Sequence, residues 1–306
     1  MNKKRIIIDC DTGVDDAMAI IFALKSRMLV VDSITTVHGN VSLDQTTVNT
    51  LKILEFMSRI DIPVIMGSDK PKTLELINSK YVFGDDGLGN VSSTLPCSFN
   101  PIGNDAATHI INKIKRGGID AIVAIGPLTN IANAYKLNKN TMNSLNEIII
   151  MGGAIDVKGN ITEYSEFNFY CDPYSADYVL KNSTNSTLVP LNVTNKVQFY
   201  KDDCNKIISL KEKKLFQDIT KIWYAFSKEI GQDGIGLHDP LTVGYAINSE
   251  FLTSKPINLK ICLNGDRAGH CETFSEKINN ASTILYCNNL TDLDFKSYFI
   301  NTLNEN

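Results

Sequence analysis

The sequence predicts an α/β fold with a mostly parallel central sheet flanked by helices, open in the Rossmann-like manner. Two observations carry that prediction. Short runs rich in isoleucine and valine recur without polar alternation, and longer segments with apolar residues at helical spacing lie between them. A parallel sheet covered on both faces by its own crossover helices leaves this pattern, because neither face of its strands meets water.

Residues 5–9 are isoleucine-rich and read as the first buried strand. Residues 15–25 follow as helix, 30–37 as strand, 44–59 as helix and 63–66 as a short strand. The alternation continues with helix at 105–115, strand at 121–125, helix at 128–135 and strand at 147–151. Asp172 and Pro173 make an N-cap and first-turn pair that starts a helix running through Leu180, and 187–191 closes the alternating section. Beyond it, 214–230 reads as one long helical segment holding the only tryptophan, Trp223. Residues 257–262 and 282–287 read as strands, and 294–303 as a terminal amphipathic helix. No repeat, linker or shift in composition interrupts the chain, so 1–306 reads as a single domain.

A chain of this length buries about three quarters of its unfolded surface and needs no staples. Its net charge of −4 argues against a nucleic-acid partner, which would call for clustered Lys and Arg. The seven cysteines are odd in number and form no CxxC pair, which argues against a disulfide framework or a structural zinc site. Cys10, Cys171, Cys262 and Cys287 sit in apolar stretches and behave as small hydrophobes. The basic start is followed by an apolar run that stops at Asp9, too short for a signal peptide, and the uncharged run 17–24 is far short of a membrane span. The cytoplasm is the expected location, with no membrane partner.

The most informative stretch is Asp9-Cys10-Asp11-Thr12-Gly13-Val14-Asp15-Asp16-Ala17, four carboxylates where a strand gives way to a helix. Ligands of open α/β sheets bind beyond the carboxyl ends of strands. Converging carboxylates repel one another unless a cation joins them, and a hard cation, calcium or magnesium, is the natural partner. The plainer reading is a solvated acidic turn at a helix N-terminus, where carboxylates are welcome anyway. The spacing is not that of an EF-hand loop.

This stretch resembles the N-terminal signature of the inosine–uridine-preferring nucleoside hydrolases, Asp-x-Asp-Pro/Thr-Gly-x-Asp-Asp-Ala. Further stretches resemble the same family: Val37-His38-Gly39-Asn40, Gly126-Pro127-Leu128-Thr129, Met151-Gly152-Gly153-Ala154, Asn160 with Glu166-Phe167-Asn168, and His238-Asp239-Pro240. Alone, each has a modest explanation: a Gly-Asn turn, Thr129 as a helix cap, Asp239 before Pro240 as an N-cap, His238 as a structural histidine. Together they span roughly residues 5–245, and the remainder agrees in length and element order.

The resemblance implies a nucleoside hydrolase fold and hydrolysis of the N-glycosidic bond of ribonucleosides to free base and ribose. It implies calcium held by Asp11, Asp16, the Thr129 carbonyl and Asp239, with Asp11 taking a proton from the attacking water. It places Asp15 on the 2′-hydroxyl, Asn40 and Met151 beside the ribose, Asn160 and Glu166 on the 5′-hydroxyl, and Asn168 on the 2′- and 3′-hydroxyls. Asp239 also meets the 3′-hydroxyl, and His238 protonates the leaving base. A homodimer or homotetramer is implied. Phe83 departs from the family pattern, standing where many members carry His, which leaves base preference open. Two rival readings are a phosphohydrolase of the haloacid-dehalogenase type and a nucleoside-binding protein without catalysis. The first wants Thr or Val where Gly13 stands and has no use for Glu166, Asn168, His238 or Asp239.

Overall fold

The computed structural model describes residues 3–72, 75–276 and 282–305. The first half alternates as β1 (Lys4–Cys10), α1 (Val14–Lys25), β2 (Leu29–Thr36), α2 (Leu43–Phe56), β3 (Val64–Met66), α3 (Lys80–Phe83), α4 (Ala106–Arg116), β4 (Ala121–Ala124), α5 (Thr129–Asn143) and β5 (Glu147–Met151). There follow α6 (Phe167–Cys171), α7 (Pro173–Asn182), β6 (Ser186–Val189), α8 (Leu191–Thr194), β7 (Gln198–Phe199), α9 (Leu210–Ile219) and α10 (Lys221–Glu229). The chain ends with β8 (Ile235–Gly236), α11 (His238–Ile247), β9 (Leu252–Ile261), β10 (Cys271–Phe274), β11 (Ser282–Leu290) and α12 (Phe295–Leu303).

Nine strands form one sheet in the order β10-β9-β11-β6-β5-β4-β1-β2-β3. From β3 to β11 every pairing is parallel, and β9 runs antiparallel to both β11 and β10. The expected α/β class with a mostly parallel sheet is therefore what the chain adopts. Strand β1 explains the isoleucine run: Ile6 and Ile8 pack into the core on one face and Ile7 into the core on the other. Each buried isoleucine contributes about 1.5–3 kcal/mol. From β1 the chain runs out through β2 and β3, then returns to β4 on the other side of β1. Strand order reverses there, which opens a crevice at the carboxyl ends of β1 and β4.

Several sequence expectations need correction. The segment 214–230 is two helices, α9 and α10, meeting at Thr220. At the junction the Thr220 hydroxyl and its N–H both donate to the Phe216 carbonyl, at 2.6 and 3.2 Å. The strands expected at 257–262 and 282–287 are longer and pair as an antiparallel edge, with β10 added outside them. The strand expected at 187–191 ends at Val189, because Pro190 follows. The helix expected at 128–135 continues to Asn143 across a kink at Asn138. All seven cysteines are unpaired, and Cys262 is only partly buried. Among the described residues, no helix is long and apolar enough to cross a membrane.

Candidate active site

The site begins where β1 ends. Asp11 is fully buried, and its Oδ2 accepts the N–H of Asn40 at 2.7 Å. Two glycines make room for it. A Cβ at Gly126 would lie 2.8 Å from Asp11 Oδ1, and one at Gly39 would overlap Oδ2 and sit 2.7 Å from Cγ. Asp16 lies behind Asp11: its Oδ1 accepts the Asp11 N–H at 3.1 Å, and its Oδ2 accepts Gly13 N–H and Asn40 Nδ2 at 3.0 and 3.1 Å. Asn40 is held in turn by Ser79, whose hydroxyl donates to Asn40 Oδ1 at 2.5 Å.

The second wall arrives from far along the chain. Asp15 Oδ2 accepts the backbone N–H groups of His238 and Asp239, at 3.1 and 3.0 Å. Asp15 thus occupies the positive end of α11, where a carboxylate is favoured. Asp239 lies in the first turn of that helix, behind Leu237, so the N-cap reading for it is incorrect. Burial and then Asp15, Asp16 and Asp11 push the Asp239 carboxyl well above the usual range. Burial and then Asp16 do the same to Asp11, and burial holds Asp16 at about 6.

Thr129 opens α5, and its hydroxyl does not cap that helix. The hydroxyl donates to Asp172 Oδ2 at 2.6 Å and takes the Nε2 proton of His38 at 3.0 Å. Asp172 caps α7 as expected, accepting the Ser175 N–H at 3.0 Å. Asn168 Nδ2 donates to the Ile125 carbonyl at 2.9 Å and lies 3.4 Å from the Met151 carbonyl. Glu166 caps α6 and also accepts the Gly153 N–H at 2.9 Å, while burial pushes its carboxyl up to about 7. Asn160 Oδ1 accepts the Phe167 N–H at 2.9 Å.

A cleft of about 830 Å³ is lined by Asp11, Asp15, Asn40, Met151, Asn160, Glu166, Asn168, His238 and Asp239. Asp16 and Thr129 stand behind its wall, at 0% and 1% exposure. Part of the lining is aromatic, formed by Tyr81, Phe83, Trp223 and Phe226. Phe83 meets Trp223 edge-on at 5.0 Å, and the His238 ring lies 6.4 Å from Trp223 with a 30° tilt. His238 Nδ1 is 2.8 Å from the Thr194 hydroxyl. Burial pushes the imidazole down to about 4, although the ring keeps partial exposure to the water of the cleft. Sequence reasoning missed Tyr81, Trp223, Phe226 and Ser79 as site residues. The lone tryptophan on an amphipathic segment was the only available signal.

The donor set suits a hard cation. Asp11 Oδ1 and Asp15 Oδ1 are buried without a hydrogen-bond partner, and none of the four carboxylates joins a salt bridge among the described residues. No group of three His, Cys, Asp or Glu side chains among those residues makes a metal cage by itself. Carbonyl and water oxygen would have to complete the shell, which is ordinary for calcium.

The chain is similar to known proteins over most of its length. Residues 6–296 match the family model described as inosine-uridine preferring nucleoside hydrolase. The chain is 38% identical over 251 residues to a probable uridine nucleosidase 2 of Arabidopsis thaliana, covering 79% of this chain and 77% of that protein. It is 37% identical over 258 residues to the pyrimidine-specific ribonucleoside hydrolase RihA of Shewanella woodyi, covering 82% of each. The solved purine-preferring ribonucleoside hydrolase from Gardnerella vaginalis superposes with a TM-score of 0.91 at 28% identity, over 98% of both chains. Neither rival reading, phosphohydrolase or silent binding protein, is favoured by these likenesses.

Proposed function

This chain belongs to the inosine-uridine preferring nucleoside hydrolase family, and from that premise we propose how its residues hydrolyse a ribonucleoside to base and ribose. The observation that carries the reading is the gathering of Asp11, Asp15, Asp16 and Asp239 at the strand-order reversal, with two buried carboxylate oxygens left unpartnered. Calcium held by Asp11, Asp16, the Thr129 carbonyl and Asp239 would supply the positive charge that acidifies a water and grips a sugar diol. Asp11 Oδ2 is fixed by Asn40, so Oδ1 takes the proton of the attacking water. Asp15 Oδ1 accepts the ribose 2′-hydroxyl, and Asp239 the 3′-hydroxyl. Asn168 supports both, while Asn160 and Glu166 hold the 5′-hydroxyl, with Met151 and Asn40 beside the ring.

Water attacks the anomeric carbon as its bond to the base breaks through an oxocarbenium-like state, and the bonding electrons leave with the base. With Nδ1 taking the Thr194 hydroxyl proton, His238 presents Nε2–H to that base. At neutral pH its ring is uncharged, so it donates a hydrogen bond to the leaving group, which takes its proton from solvent while Asp11 returns the water proton to solvent. The base rests among Phe83, Trp223 and Phe226. The protein works on free ribonucleosides as a cytoplasmic homodimer or homotetramer.

The test is release of reducing sugar across a panel of inosine, uridine, cytidine and their 2′-deoxy forms, with calcium and with a chelator. Ribonucleosides should be cleaved only with calcium, and deoxy forms poorly, because the site would keep unfilled polar groups. Asp11→Asn should lower kcat by about 10²–10⁴. Full turnover by that variant would remove Asp11 as the base.

A further inference from the structure

We propose that the turn between β9 and β10, residues 262–270, is the anvil on which the sugar-contacting loop 159–168 is set, with Ser165 as the positioning residue that joins them. The inference rests on the assignment of Asn160 and Glu166 to the ribose 5′-hydroxyl.

Within itself the loop is a pinched ring. Gly159 N–H donates to the Glu163 carbonyl at 3.1 Å, and Ile161 N–H to the Ser165 carbonyl at 3.3 Å. A Cβ at Gly159 would overlap the Ser165 carbonyl, so the neck closes only with glycine there. These bonds set the shape of the loop but not its place above the sheet. Gly153 and Ile125 hold its far end, at Glu166 and Asn168, and the turn places the rest. Ser165 is fully buried, and its hydroxyl donates to the Ala268 carbonyl at 2.6 Å. His270 Nδ1 donates to the Tyr164 carbonyl at 3.1 Å. The Tyr164 ring is covered by the Arg267 guanidinium at 4.8 Å and met edge-on by His270 at 5.9 Å.

The same turn also seats the helix that Glu166 caps. Gly269 has φ +78°, and a Cβ there would lie 2.7 Å from the N and Cα of Tyr170 in α6. The turn therefore grips the chain on both sides of Glu166: at Tyr164 and Ser165 before it, and at Tyr170 after it. No residue of the turn lines the cleft. Its influence on the sugar runs through the loop alone. A buried carbonyl stripped of its donor is costly, and small displacements of binding groups are felt strongly in the reaction.

Steady-state kinetics of Ser165→Ala with calcium test this, using uridine against 5′-deoxyuridine, or inosine against 5′-deoxyinosine if inosine is cleaved faster. The KM of the ribonucleoside should rise about tenfold while kcat moves less than about threefold. The KM of the 5′-deoxy substrate should stay near the wild-type value, since it offers Asn160 and Glu166 no hydroxyl and Asn168 is held separately by the Ile125 carbonyl. The exposed Arg267→Ala should shift the same KM in the same direction by about twofold. Equal rises for both substrates, or none in folded variants, overturn the proposal. Wild-type protein that cleaves neither substrate defeats the nucleoside reading instead. Trypsin cleavage after Lys158 then tests the anchoring alone: it should be faster in Ser165→Ala, and an unchanged rate overturns the proposal.

Discussion

Replacing Gly39 by alanine places one methyl group where the proposed base already stands. The added Cβ would overlap Asp11 Oδ2 and lie 2.7 Å from Cγ and 3.0 Å from Cβ of the same side chain. Carbon atoms at van der Waals contact need about 3.5–4.0 Å. Asp11 or the 37–40 turn must then move by roughly 1 Å. Asp11 is held at its backbone, because Asp16 accepts its N–H. The Asn40 N–H contact at 2.7 Å is the element that gives way. A charge-assisted hydrogen bond is worth about 1.5–3 kcal/mol, and a displacement near 1 Å can cost about 10² in rate. We therefore expect kcat of Gly39→Ala to fall by about 10² or more, with near-native circular dichroism and weaker calcium binding by calorimetry. Wild-type turnover in a folded Gly39→Ala protein would show that Asp11 is not held by this contact, and the reasoning would fail.

Calcium should stabilise the protein more at pH 8 than at pH 5. Asp16, raised from 3.8 to about 6 in the fold, favours the folded state at low pH, and that contribution is lost as pH rises through its folded value. Between pH 5 and pH 8 the loss is roughly 1 kcal/mol, or about 2 °C in Tm for a chain of 306 residues. Scanning calorimetry of stripped and loaded protein checks this, and an equal calcium shift at both pH values would contradict it. His238→Ala should lower kcat on uridine or inosine by about 10² and leave 4-nitrophenyl riboside turnover nearly unchanged, since that leaving group departs without help. Equal losses on both would point to misfolding of the site. Trp223→Ala should raise KM by about tenfold and lower stability by about 3 kcal/mol, read from kinetics and urea unfolding, because it empties the wall shared with Phe83.

Much of the cleft was legible because its chemistry is local in sequence. The isoleucines of β1 announce a strand buried on both faces, and the carboxylates that follow can only lie at its exit. Asn160, Glu166 and Asn168 are close together in the chain and stay together in space. The aromatic lining was not legible. Which face of 214–230 meets the cleft depends on the break at Thr220, which no motif marks. The role of Ser79 is a contact made across 39 residues, to Asn40, with no motif to mark it. Strand β10 is four residues long and is recognisable only by its pairing with β9. Asp239 lines the cleft with Asp11 and Asp15, but the N-cap reading of it fails, since Leu237 rather than Asp239 precedes the helix.

Asp15 receives its two amide donors from residues 223 and 224 positions later. A ribosome releases the polypeptide from its amino end, so the early aspartates wait through most of translation for those partners. A message cut short ahead of codon 238 yields a product whose acidic pocket has one side missing. The two walls of the pocket therefore meet only after residue 239 has been made.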